Sequence, residues 1–156
     1  LKKLKRERIV KSSQDQVLTS MRNKIQRTLE ATYKKLHEQA KQDGYHVVYE
    51  GAFKQATNRG MLNTELPFPF VMAVLFPAET LSGGRIYDLG GVADFQGDIS
   101  EKNAQFVKRY HKARMNSIPI NYKGQASLER VYAGDWNFNS DTATAETSGK
   151  FIMTKI

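Results

Sequence analysis

SQDQVLTSMRNKIQRTLEATYKKLHEQAKQDG, residues 13 to 44, decides how the rest of the chain is read. Its apolar residues Leu18, Met21, Ile25, Leu29, Tyr33, Leu36 and Ala40 recur three or four positions apart, which places them on one helical stripe. The opposite face carries Arg22, Lys24, Arg27, Lys34, Lys35, Glu38 and Lys41. Ser13 and Gln16 have the spacing of a capping box, in which each side chain satisfies an orphan backbone N–H of the other, so the helix is expected to start there. Gly44 ends it, because glycine takes the left-handed conformation after a helix without steric cost. At about 1.5 Å per residue this is a helix on the order of 45 Å long, a backbone for a small domain or a contact surface for a neighbour.

Upstream, LKKLKRERIVK holds six positive residues and one negative. Residues 1 to 43 contain twelve Lys or Arg against five acids, a balance of +7, while residues 44 to 156 contain twelve against eleven, or +1. The basic character of the chain, +8 in all, therefore belongs to its first segment. We divide the chain into a basic arm, residues 1-12, and a single α+β domain, residues 13-156. Such an arm meets phosphate, an anionic surface or an acidic patch on a partner, and a frayed solvated terminus is the plainer reading. The chain begins at Leu1 rather than methionine, which leads us to expect an upstream segment.

Downstream the pattern turns to strands. YHVVYE (45–50) reads as a first strand ended by Gly51, and 52–67 as a loop able to serve as a binding surface. FPFVMAVLF (68–76) is apolar on both faces and should be covered on both sides as a central strand, with regular pairing only after Pro69. Residues 85–89 and 92–95 form a bent hairpin about Gly90-Gly91. Ser100 is placed as the cap of a second helix over 101–115, with Ala104, Val107 and Tyr110 on its stripe. Strands follow at 118–122, 125–133, 136–139, 142–147 and 150–156, with turns at Lys123-Gly124, Gly134-Asp135, 139–141 and Ser148-Gly149. The fold class is thus α+β: a long N-terminal amphipathic helix packed on a curved, mostly antiparallel sheet. This element order resembles two known designs. One is the cone-shaped scaffold of the nuclear-transport-factor type, which also forms the periplasmic component of type IV secretion channels. The other is the group of small α+β subunits that close bacteriophage tails. The resemblance lies in element order, and no motif carries it.

The absence of cysteine excludes disulfides, thiolate metal sites and cysteine nucleophiles and leaves the compartment open. No run of about 18 apolar residues occurs, so no helical membrane span is expected. His37, His46 and His111 stand in no HExxH, HxH or triad-like context and read as structural or exposed. Asp88, Asp94 and Asp98, with Glu79 and Glu101 nearby, could hold a cation or form an acid–base pair, but aspartate beside glycine is first of all turn chemistry. The glycines form no GxGxxG or GK[ST] phosphate loop, so nucleotide binding has no support in the sequence, and the reading as a whole expects neither cofactor nor metal. Trp136 and Phe138 alternate as a core face does.

The leading functional expectation is a non-catalytic structural subunit of a larger assembly, such as a virion tail or head-joining part or a secretion-channel component. Its partners are other protein subunits, by self-association or a stable complex with another chain, through the outer edge of the long helix or through the apolar last strand KFIMTKI (150–156), which must be internal to the sheet or covered by a second subunit. The second expectation is a nucleic-acid-binding protein. Lys2, Lys3, Lys5, Arg6 and Arg8 of the arm would act there with Lys108, Arg109, Lys112 and Arg114 of the KRYHKAR cluster. The third is an enzyme on the cone-shaped scaffold, with a pocket between helix and sheet.

Overall fold

The computed structural model describes residues 2–55, 67–76, 82–112, 118–128, 130–138 and 148–156. One helix, α1 (Lys2–Gln42), precedes eight strands: β1 (Val47–Gln55), β2 (Phe68–Phe76), β3 (Ser82–Asp88), β4 (Gly91–Ile99), β5 (Asn103–Tyr110), β6 (Ile120–Leu128), β7 (Val131–Phe138) and β8 (Ser148–Lys155). Each strand pairs antiparallel with the next, and β8 returns to pair with β1, so the sheet closes into an up-and-down barrel. The chain forms two compact units, Leu1–Thr32 and Tyr33–Ile156. The first is helical throughout its described length; the second holds the last turns of α1 and the whole barrel.

Several sequence expectations change here. The helix does not start at Ser13. Residues 2–12 contain neither proline nor glycine and are rich in lysine and arginine, so nothing in them stops a helix, and Ser13 lies inside α1. Its other end is as expected. Gly44, at φ 82°, donates to the Lys41 carbonyl at 3.0 Å and Tyr45 donates to that of Ala40 at 2.9 Å, a Schellman closure.

The helix expected over 101–115 is a strand, β5, in its described part. Ser100 does accept the N–H three residues on, from Asn103 at 3.1 Å, which is the bond a helix cap makes; here it ties the tight β4–β5 turn. The chain beyond it alternates, with Ala104, Phe106, Lys108 and Tyr110 buried and Asn103, Gln105 and Arg109 exposed.

Gly51, Gly124, Gly134 and Gly149, expected at strand ends or in turns, are strand positions facing inward. A Cβ at Gly51 would lie 2.4 Å from Phe70, one at Gly124 2.9 Å from Phe151, and one at Gly149 2.7 Å from Trp136. In each case a large ring occupies the space a side chain would need, which lets eight short strands enclose an interior of aromatics. Pro69 sits within the ladder, opposite Ala52. The strand expected at 142–147, the turn at 139–141 and the greater part of the 52–67 loop lie outside the described residues.

The interior is lined by Tyr49, Phe70, Met72, Ile86, Phe95, Phe106, Tyr122, Trp136, Phe151 and Met153, among others. Trp136 and Phe138 are on this face, as their alternation predicts. A second, smaller core forms outside the barrel within the Tyr33–Ile156 unit. There Leu36 and Ala40 of α1 pack on Val71 and Tyr87, with Tyr33, Tyr45, Val47 and Val92 around them. The Tyr33 hydroxyl donates to the Gly51 carbonyl at 2.5 Å, His37 Nε2 meets Glu50 Oε1 at 2.5 Å, and the Tyr87 hydroxyl donates to Asp43 at 2.8 Å.

β2 is thus covered on both faces, as its composition requires, by the barrel interior and by the helix end. The expected layout, with the sheet's inner face against the helix, is reversed, because the inner face encloses its own core. With it goes the open cone-shaped scaffold whose element order the sequence resembles. The side chains of Leu18, Met21 and Ile25 lie outside the description.

Candidate functional site

Antiparallel strands alternate in direction, so the β1–β2, β3–β4, β5–β6 and β7–β8 connections share one end of the barrel. At that end Asp88 closes β3, and Lys108 and Tyr110 close β5. Two-residue periodicity turns both β5 residues inward, where Lys108 Nζ donates to Asp88 Oδ2 at 2.5 Å. Both side chains are 1% exposed. The Tyr110 hydroxyl donates to the same oxygen at 2.6 Å, and the Gly90 N–H to Oδ1 at 2.7 Å. Aromatic faces enclose the ammonium, with Nζ 4.5 Å from the Tyr110 ring centroid, 5.1 Å from Phe53 and 5.7 Å from Tyr122.

An ammonium out of water is costly, and here the carboxylate and the ring quadrupoles offset the loss of hydration. Burial pushes the Lys108 ammonium down from its usual range, and the facing Asp88 charge pushes it back up. Burial raises the Tyr110 and Tyr122 phenols, and the Asp88 charge raises them further. At this centre burial works against the Lys108 charge while Asp88 favours it, and the two phenols keep their protons.

The residues expected to contact a partner divide between the two units. Lys2, Lys3, Lys5, Arg6 and Arg8 lie along the first turns of α1, and their side chains fall outside the description. Lys108, expected on a solvated helix face, is inside the barrel because β5 is a strand and its even positions point inward. Arg109 and Lys112 are exposed, and Arg114 lies outside the described residues.

The acids separate too. Asp88 faces in, whereas Asp94 faces out, 2.8 Å from His111 Nε2 and 3.9 Å from Arg85. Asp98 and Glu101 are exposed, as is His46, and Glu79 lies outside the described residues. Among the described residues no three His, Asp or Glu side chains gather as a metal site. The turn reading of Asp88 holds for Oδ1 and misses Oδ2. The missed signal was alternation in NAQFVKRY, which puts Lys108 in register with Ala104, Phe106 and Tyr110.

Outside, the exposed positions of β4 to β8 include Asp94, Gln96, Asp98, Gln105, Arg109, Lys123, Gln125, Asp135 and Lys150. An apolar interior within a charged exterior is the inverse of a barrel set in lipid. No helix among the described residues is long and apolar enough to cross a membrane.

Fold and centre together define a closed antiparallel barrel with a sealed ion pair at one end, preceded by a long basic helix. No protein-family model, curated protein or solved structure matches the chain.

Proposed function

We propose that the protein is a non-catalytic subunit of a larger assembly, in which the barrel is the folded body and the Lys2–Thr32 part of α1 engages a neighbouring protein chain. One observation carries this reading: Leu1–Thr32 is a compact unit of its own whose described residues form a single helix. By sequence, Leu18, Met21, Ile25 and Leu29 run along one stripe of it. A unit with a single helix has no second element of its own on which to bury such a stripe, and most helical stability in water comes from that burial. Gln16, Val17, Thr19, Ser20, Asn23, Gln26 and Arg27 are exposed around it. The barrel leaves no strand edge for pairing, since β8 is bonded to both β7 and β1, so assembly through KFIMTKI is not part of the proposal.

The test is sedimentation of the full chain and of a chain lacking residues 1–32, each alone and with whatever native partner co-purifies. Association of the full chain and its loss on truncation supports the reading. Equal behaviour of the two overturns it. Steep weakening of binding to DNA or RNA with salt, with no protein association, would favour the nucleic-acid alternative, which keeps the five cations of the arm and loses Lys108.

A further inference from the structure

We propose that the outer face of β6, β7, β8 and β1 is a docking surface for an acidic amphipathic helix of another protein, with Ile152 as the apolar anchor and a row of lysines beside it. The surface belongs to the barrel unit, so the proposal is independent of what the first part of α1 engages. Strand register assembles the row. Lys123 of β6 lies opposite Asp135 of β7, Asp135 opposite Lys150 of β8, and Lys150 opposite Lys54 of β1. Each is the chain neighbour of an interior ring, Tyr122, Trp136, Phe151 or Phe53, and so points outward. Asp135 and Lys150 form an ion pair, with 62% and 59% of their side chains exposed. Three lysines against one aspartate leave the row a surplus of two positive charges, and Gln105 separates it from Asp98 on β4. Lys54 and Lys150, directly opposed, repel each other, and a carboxylate brought between them relieves that repulsion.

The next outward row, two residues along each strand, is apolar. Ala133 lies opposite Ile152, and Ile152 opposite Ala52. Each alanine offers a single methyl, so Ile152 stands above both and is 50% exposed. One exposed isoleucine is ordinary on a protein surface; beside unbalanced lysines it completes an amphipathic pattern. The two rows together select the occupant. Closure of the barrel leaves no edge for a strand to join, so an extended segment gains no main-chain bonds here, whereas a helix arrives with its own backbone satisfied. Neighbouring strands lie about 4.8 Å apart, so the lysine row spans about 14 Å, or roughly three helical turns. Phosphate would use the lysines and leave Ile152 idle. A single-stranded nucleic acid also calls for exposed rings on which to stack its bases, and the rings of β1, β6, β7 and β8 belong to the interior.

The experiment uses the full chain and a fluorescent peptide of about three helical turns, built of alanine with leucine at every third or fourth position and glutamate directly after each leucine. Anisotropy at physiological ionic strength reads the affinity. Ile152→Ser is expected to weaken binding about fivefold, the worth of burying half an isoleucine side chain. Lys54→Glu with Lys123→Glu should weaken it more than about tenfold, since each lysine then meets the peptide with a like charge. Ala133→Glu places an acid beside Ile152 without entering the interior and is a second route to the same loss. Lys2→Glu with Lys3→Glu, on the arm, should change nothing. Near-UV circular dichroism matching the parent's identifies the variants whose barrel is folded. Absence of binding overturns the proposal, as does binding that the folded Ile152 and Ala133 variants leave unchanged or that the arm variant abolishes. So does a single-stranded DNA oligonucleotide that binds more tightly than the peptide and depends on Lys54 and Lys123.

Discussion

At the scale of the residue, the Lys108–Asp88 pair shows why a correct local reading can hide the chemistry. Asp88 beside Leu89-Gly90 reads as a turn former, and its Oδ1 does hold the Gly90 N–H. KRYHKAR reads as a cation cluster, and Arg109, His111 and Lys112 in it are solvent-facing. What neither segment states is that two strands twenty residues apart in sequence bring the ion pair together, because that depends on the β3–β4–β5 register. Lys108→Met leaves the buried Asp88 without its counter-ion, and we expect a loss of about 3–5 kcal/mol in urea titration. Adding Asp88→Leu should recover much of it. A single mutant within about 1 kcal/mol of the parent would show that water reaches the pair. The phenols set the alkaline limit. Burial raises Tyr49 and Tyr87 to about 12, so the folded chain keeps protons that the unfolded chain releases near pH 10. Their contribution is whole below about pH 10 and is lost as pH rises toward 12, while Lys108, shifted down, makes stability rise with pH up to its unfolded value. We expect the tyrosinate absorbance of these two phenols, taken by difference from Tyr49→Phe and Tyr87→Phe chains, to appear together with loss of near-UV circular dichroism; its forming at about pH 10 in a folded barrel would contradict the burial.

At the scale of the element, the end of α1 was legible and its beginning was not. Gly44 is a local signal, whereas a helix start is marked only if something upstream breaks the helix, and residues 2–12 hold nothing that does. The strands were legible where composition is β-branched or aromatic, as in β2, whose limits match the expected 68–76. They were misread where glycine interrupts, because glycine in a turn and glycine packed against a ring or a neighbouring strand look the same in sequence. The two kinds separate experimentally. Gly44→Ala meets open space and pays only for its positive φ, so about 1 kcal/mol is expected. A Cβ at Gly134 would lie 2.0 Å from the Lys123 carbonyl oxygen and 2.4 Å from the Gly124 Cα, so Gly134→Ala must push two strands apart and should cost several times more. Melting temperatures that rank the two the other way would place Gly134 in a turn after all.

At the scale of the whole molecule, deleting residues 1–32 should leave the melting temperature of the barrel nearly unchanged, since Tyr33, Leu36 and Ala40, which pack on it, are retained. A fall of more than about 5 °C, the shift that corresponds to roughly 1 kcal/mol or more in a domain of this size, would make the first unit part of the barrel's stability. Closure itself was beyond the sequence: KFIMTKI shows apolar side chains on both faces, but whether they meet a second chain or the far end of the same one is a question of topology. The answer, Tyr49 opposite Lys155, has a consequence in time. Synthesis delivers β1 first among the strands and its partner β8 last, so the hairpins between them can form as the chain emerges while the seam stays open. Joining residues so far apart carries a large loop-closure entropy, and folds dominated by such pairings complete in milliseconds to seconds rather than microseconds. Until then β1 and β7 each expose a bare row of N–H and C=O groups. The nascent protein therefore passes through an interval in which its greatest hazard is a strand from another chain taking the place that β8 is made to fill.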